Sequence, residues 1–353
     1  MRILDRLEAV RRVDRGGMLG RAAALPGQCA EGWEWGLNWR VPSGFSSAGQ
    51  ILVLGMGGSA IGADLAAGIA GDRLKKPVLV NRTYDLPAWV NRNTLVLVCS
   101  YSGNTEETLS AAGQAARRGA RIAVITSGGR LAGWARRRGF PLLRIPQGLP
   151  PRSAVGTMTF VPLGLMVRLG WIPRSALPVE RACRGLNRFI RSSLGPEART
   201  AANPAKKLAM KLVNRLPVLY GAAGGWEGIA YRWRTQLEEN SKTLAFHHIY
   251  PEATHNEISG WVQPKGMMKN TTALFLTDPA MHPRILRRME FGRRVVLGEG
   301  AQAEKVSVPG PTVLERMLRM IALGDFVSVY LGVLYRIDPT PVVRVEALKK
   351  FMK

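Results

Sequence analysis

The chain has 353 residues, a net charge of +25 and a hydrophobic fraction of 46%. That length suffices for one large or two ordinary α/β domains, and the composition is expected to describe a soluble globular protein. No apolar run is expected to reach the ~20 residues that cross a bilayer, and the N-terminal MRILDRLEAVRRVDRG mixes charge and apolar residues at helical spacing instead of forming a signal peptide's apolar core, so a cytoplasmic location is expected.

In chain order, ILVL (51–54) reads as a strand followed by a glycine loop and a helix, GMGGSAIGADLAAGIAG. PVLVN (77–81) is a second strand and TLVLVCS (94–100) a third. NTEETLSAAGQAARRG then opens a helix with acidic residues in its first turn. RIAVITS (121–127) and FPLLRIP (140–146) are the fourth and fifth strands, with a short helix between them. The prolines of GLPPRSAVGTMTF (148–160) interrupt this rhythm before a helix resumes through Leu169. Beyond a link at WIPRSALP (171–178), helices are predicted over 203–216, 226–242, 282–296 and from Val313 to about Arg336, with a short terminal helix. Strands are predicted at 217–221, 272–278 and 305–310. The alternation predicts an α/β fold of two doubly wound subdomains, parallel sheets flanked by helices, over residues 1–170 and 171–353.

Cys29, Cys99 and Cys183 stand far apart and form neither a CxxC pair nor a disulfide framework, so they read as free thiols. The four histidines show no metal-binding spacing, and no metal site is expected. The basic residues are spread along the chain without a recognition motif, which argues against nucleic acid as partner and for a solvated basic surface or an acidic ligand.

Two loops carry chemistry. GMGGSA (55–60) and SYSGNT (100–105) each follow a strand and open a helix. In a parallel sheet ligands bind at such strand ends, and small residues, hydroxyls and a helix N-terminus together favour an anion. Two other readings stay open. Gly55, Gly57 and Ala60 match G-x-G-x-x-A, a dinucleotide fingerprint, and Arg82 after the second strand would suit a 2′-phosphate. Thr105, followed by Glu106 and Glu107, could simply cap its helix.

GMGGS followed by SYSGNTEET resembles the sugar isomerase (SIS) domain family. PPRSA (150–154), YRWRTQLEENSK (231–242), PEATHNE (251–257) and DFVSVYLGVLYRIDPTP (325–341) extend that resemblance to the bifunctional phosphoglucose/phosphomannose isomerases of archaea and bacteria. The resemblance implies an enzyme that interconverts glucose 6-phosphate and mannose 6-phosphate with fructose 6-phosphate through a cis-enediol. It implies that Gly58, Ser59, Ser100, Ser102 and Thr105 hold the sugar phosphate, and that Glu239 shuttles the proton between C1 and C2. Arg152 would stabilise the enediolate and His255 would open the ring, reaching the active site of a neighbouring subunit and so implying a homodimer. In part of the family a lysine on the last long helix assists ring opening; the ungapped match places Tyr330 there. No cofactor is implied. A sugar-phosphate sensor without catalysis remains the alternative.

Overall fold

In a computed structural model, which describes residues 2–352, the parallel strands form two separate sheets. The chain divides into two compact units, Leu25–Cys183 and a second made of Met1–Ala24 with Arg184–Lys353. The sequence placed residues 1–170 together. The structure differs there because the N-terminal segment is bonded into the second unit. Asp5 accepts hydrogen bonds from the backbone N–H of Thr200 at 2.7 Å and from its hydroxyl at 2.8 Å.

In the Leu25–Cys183 unit the strands are β1 (Gln50–Leu54), β2 (Val78–Asn81), β3 (Thr94–Cys99), β4 (Arg121–Thr126) and β5 (Leu142–Arg144). They pair in the order β2-β1-β3-β4-β5, all parallel. β3 is buried at every position, as a central parallel strand covered on both faces must be. One face buries Leu52, Leu54, Val96, Val98, Ile122 and Val124 against the alanines of the Glu106–Arg117 helix. The order in which strands are added reverses between β1 and β3, and in parallel sheets ligands bind at the carboxyl ends beside such a reversal.

The second unit contains β6 (Leu216–Ala222), β7 (Phe246–Tyr250), β8 (Thr271–Leu276) and β9 (Gln302–Val306), parallel in the order β7-β6-β8-β9. β7 has no counterpart among the predicted strands. FHHIY sits at the sheet edge and is only half buried, so its apolar pattern is weak. β9 begins three residues earlier than the predicted start at 305, since its pairing with β8 runs from Gln302 to Val306.

The helix Val313–Leu334 forms the centre of this unit. It contains a stretch whose mean hydropathy of 1.7 would suit a membrane span, which the sequence reading had not expected, yet 89% of that stretch is buried within the protein. Several polar groups on this helix are bonded to residues packed against it. Arg232 donates to Asp325 at 2.8 Å, Asn240 donates to the Ser328 hydroxyl at 2.9 Å and the Trp233 indole donates to the Met320 carbonyl at 2.9 Å. Two stretches far apart in sequence, RWRTQLEENSK and DFVSVYLG, are thus each other's packing partners.

Candidate active site

The first cluster of candidate residues lies at the carboxyl ends of β1 and β3. β1 ends at Leu54, Gly55 follows it, and the helix Gly57–Ala70 begins two residues after that glycine with no side-chain cap on its N-terminus. β3 ends at Cys99, and Ser100–Thr105 leads into Glu106–Arg117. Thr105 occupies the N-cap position, yet its hydroxyl makes no capping bond. It is instead hydrogen-bonded to the Ser100 hydroxyl at 3.0 Å. Capping therefore does not account for Thr105.

The loop conformation is fixed by backbone and small residues. The Gly103 N–H donates to the Ser100 hydroxyl at 3.1 Å, and the Asn104 N–H donates to that of Ser102 at 3.3 Å. Gly103 has φ of +67°, and a Cβ there would run into the Gly128 carbonyl oxygen, so only glycine fits. The loop after β4 is thereby locked against the loop after β3. The Ser127 hydroxyl donates to the Tyr101 carbonyl at 2.7 Å, and the Arg130 N–H donates to the Asn104 side chain at 3.0 Å.

Ser59 joins the first loop to the second: its hydroxyl accepts from the Tyr101 N–H at 3.2 Å. Ser59 and Ser100 are buried, while Gly57, Ser102 and Asn104 are exposed. The turn Pro151–Ala154 closes on the same place. A Cβ on Gly58 would meet the Pro151 carbonyl oxygen at 3.0 Å and the Arg152 Cα at 3.4 Å. Arg152 is only 3% exposed. The structure thus brings Gly58, Ser59, Ser100, Ser102, Thr105 and Arg152 together.

Arg82, the residue that would have suited a 2′-phosphate, is ion-paired to Asp64 on the Gly57–Ala70 helix. Its charge is compensated within the protein, which removes the support for the dinucleotide reading.

Glu239, His255 and Tyr330 belong to the second unit. The helix Glu227–Gln236 ends sooner than predicted and widens into a π-helical turn, Leu237–Ser241. Such turns recur at functional sites because they re-aim side chains without ending the helix. Glu239 sits in this turn, partly exposed, next to Asn240 and Ser241, which are buried. The turn is closed by Ser241, whose hydroxyl donates to the Leu237 carbonyl at 2.7 Å, and by Lys242, which takes φ of +58°. Burial raises the carboxyl pKa of neighbouring Glu238, and Arg234, 3.8 Å away, opposes that shift. His255 ends the turn Glu252–His255 and is exposed.

Tyr330 is fully buried. Its hydroxyl donates to the Leu194 carbonyl at 2.6 Å, the Lys206 ammonium lies 5.6 Å from its ring centre, and burial pushes its pKa upward.

Sequence reasoning did not find a polar cluster beside His255. The Tyr220 hydroxyl donates to Glu257 at 2.5 Å and accepts from the Trp261 indole at 2.8 Å, and His248 Nδ1 lies 2.8 Å from the other Glu257 oxygen. His247, on β7, stacks on Tyr231 with ring centres 5.0 Å apart. The one sequence signal was Glu257 itself, the last residue of PEATHNE.

Residues 44–131 match the SIS domain family, and residues 201–352 match the bacterial phospho-glucose isomerase C-terminal SIS domain. A bifunctional phosphoglucose/phosphomannose isomerase of Caldicellulosiruptor bescii is 41% identical over 92% of this chain and 96% of its own length. The chain belongs to the bifunctional phosphoglucose/phosphomannose isomerase family. A relative of the same description from Aquifex aeolicus is 34% identical over 86% of this chain and 90% of its own. Among solved structures, a hypothetical protein from Thermus thermophilus superposes with a TM-score of 0.76 at 16% identity, covering 98% of this chain and 93% of that one. The tagatose-6-phosphate ketose/aldose isomerase of Escherichia coli gives 0.69 at 15% identity, covering 94% and 97%. These two likenesses concern the fold alone. Family membership favours the isomerase over the non-catalytic sensor.

Proposed function

We propose that this family member interconverts glucose 6-phosphate and mannose 6-phosphate with fructose 6-phosphate. The observation that carries the reading is the pair Ser100–Thr105. By bonding to each other, these hydroxyls leave the N-terminus of the Glu106–Arg117 helix without a side-chain cap, at the crevice where the uncapped Gly57–Ala70 helix also begins. Orphan N–H groups and helix dipoles there favour a dianionic phosphate. Ser59, Ser102 and Gly58 add a donor or leave the backbone accessible. Holding the phosphate fixes the position of C1 and C2 at the far end of the opened sugar.

On this reading Glu239 takes the proton from C2 of the aldose, electrons move into the carbonyl, the hydroxyl proton on O2 passes to O1, and the same carboxyl returns the proton to C1 of the cis-enediolate. The guanidinium of Arg152, always charged, offers its planar fork of donors to the enediolate oxygens. His255 moves a proton at the ring oxygen to open the pyranose. Acceptance of both C2 epimers requires that the planar enediolate turn about its C2–C3 bond, so that either face of C2 meets the carboxyl. We place His255 in the active site of a second copy of the chain, in keeping with its exposure, and the enzyme in the cytoplasm, in keeping with its buried cysteine thiols.

The purified protein is expected to convert each hexose 6-phosphate and to place solvent deuterium at C2 of the aldose. Turnover with none of the three sugars would reject the reading. Mixing inactive Glu239→Gln protein with inactive His255→Asn protein is expected to restore activity through shared sites. No recovery after subunit exchange would reject the shared histidine.

A further inference from the structure

His255 is held from two directions, and nothing so far accounts for the more elaborate of the two. On one side, the preceding residue, Thr254, accepts a hydrogen bond from Arg288 at 2.7 Å and donates to the Pro251 carbonyl at 2.6 Å. On the other side, Asn256 caps the short helix Glu257–Gly260, its side chain accepting from the Glu257 N–H at 2.6 Å. Glu257 then reaches back to the sheet. One carboxylate oxygen accepts from Tyr220 on β6, and the other lies at 2.8 Å from His248 on β7. Trp261, four residues further on, donates to the same Tyr220 hydroxyl.

The receiving end is rigid. Tyr220 is 1% exposed, stacks on Phe275 of β8 at 4.7 Å and meets Tyr250 of β7 edge-on at 5.4 Å. A phenol packed by two aromatic neighbours and held by two hydrogen bonds is a stationary anchor. A charge-assisted bond from a phenol to a carboxylate is among the stronger hydrogen bonds available. The exposed imidazole, by contrast, has no rigid contact of its own among the bonds described.

We propose that Glu257 is a positioning residue for His255: by bridging Tyr220 and His248, it fixes the orientation in which the imidazole meets the ring oxygen of the substrate. The inference rests on the reading of His255 as the ring-opening group. Glu257 touches no reacting atom. It works through the short stretch His255-Asn256-Glu257, and a displacement of the order of 1 Å at a proton-transfer group can cost about a hundredfold in rate.

The test compares a cyclic substrate with an open-chain one. Fructose 6-phosphate needs ring opening; erythrose 4-phosphate, whose 4-hydroxyl is esterified, is open. The wild type, Glu257→Gln, Tyr220→Phe and His255→Asn proteins are assayed for turnover of the first and for solvent deuterium exchange at C2 of the second. Glu257→Gln is expected to lower kcat on the hexose about ten- to hundredfold with KM little changed, and to keep the deuterium exchange rate near that of the wild type. Tyr220→Phe, which removes one strand of the bridge, is expected to show the same split in weaker form. It also serves where Glu257→Gln does not fold. The imidazole Cε1–H resonance of His255, assigned by its loss in His255→Asn, is expected to shift or broaden in both variants. Equal losses on both substrates would mean a general structural role and overturn the proposal, as would an unperturbed hexose rate. Undiminished hexose turnover in His255→Asn would instead overturn the underlying reading of the histidine.

Discussion

The loops at the ends of β1 and β3 and the segment Glu227–Ser241 are held by different kinds of bond. In the loops, backbone N–H groups, short hydroxyls and glycine do the work, over partners such as Ser100 with Gly103 and Thr105. The bonds that shape the turn after β3 are local in sequence, and the neighbouring loops then lock it in place. The Glu239 turn is fixed by side chains that reach across about ninety residues, as Arg232 does to Asp325 and Asn240 to Ser328. An anion cradle can therefore be written in a few consecutive residues, while the placing of a single carboxylate requires a buried helix with its own polar partners.

Four experiments separate the two kinds of support. The largest effect is expected at the carboxylate itself. Glu239→Gln should lower kcat by about 10²- to 10⁴-fold, the usual contribution of a positioned acid–base group, with thermal stability unchanged. Steady-state kinetics with fructose 6-phosphate and a melting curve check both halves. Next comes its support. Asp325→Ala leaves the buried Arg232 without its carboxylate, and one-sided removal of a buried pair costs about 3–5 kcal/mol. Denaturant titration should show that loss.

A smaller effect is expected in the loop. Gly103→Ala forces a left-handed φ on alanine and drives its Cβ into Gly128, at a cost of about 1–3 kcal/mol. Because the loop is the proposed phosphate cradle, KM for the hexose phosphates should rise more than kcat falls. The reverse split would detach the loop from phosphate binding.

The smallest effect concerns pH. Burial, with Arg234 and His248 nearby, pushes the His247 pKa down to about 4 from its ordinary 6.5. Between those values the unfolded chain binds more protons than the folded one. Stability is therefore lost as pH falls from about 6.5 toward 4. At its partly open strand edge the contribution amounts to about 1–2 kcal/mol. His247→Phe, which keeps a ring against Tyr231, should flatten the stability profile across that interval; an unchanged slope there would assign the acid sensitivity to other groups.

Much of the first sheet was readable because parallel strands buried on both faces are continuous apolar runs, as TLVLVC is. β7 was not, because an edge strand with exposed Phe246 and His248 carries no such run. The polar cluster on Glu257 was hidden for a related reason. Tyr220 stands on a strand that reads as purely structural, and its partner lies 37 residues away. Tyr330 shows the converse limit. Its alignment position suggested ring-opening chemistry, whereas its hydroxyl is spent on the Leu194 carbonyl in the core.

The sequence by itself determined the parallel α/β class, the two strand-end loops and the family, because these depend on apolar runs and short motifs whose physics is local. Only the tertiary structure decided that residues 1–24 join the second unit, that the Glu227 helix widens at Leu237–Ser241, and that Glu257 ties the His255 turn to two strands. Those depend on which side chains meet across the fold, and buried polar groups take their partners from wherever packing brings a complementary atom within hydrogen-bond reach.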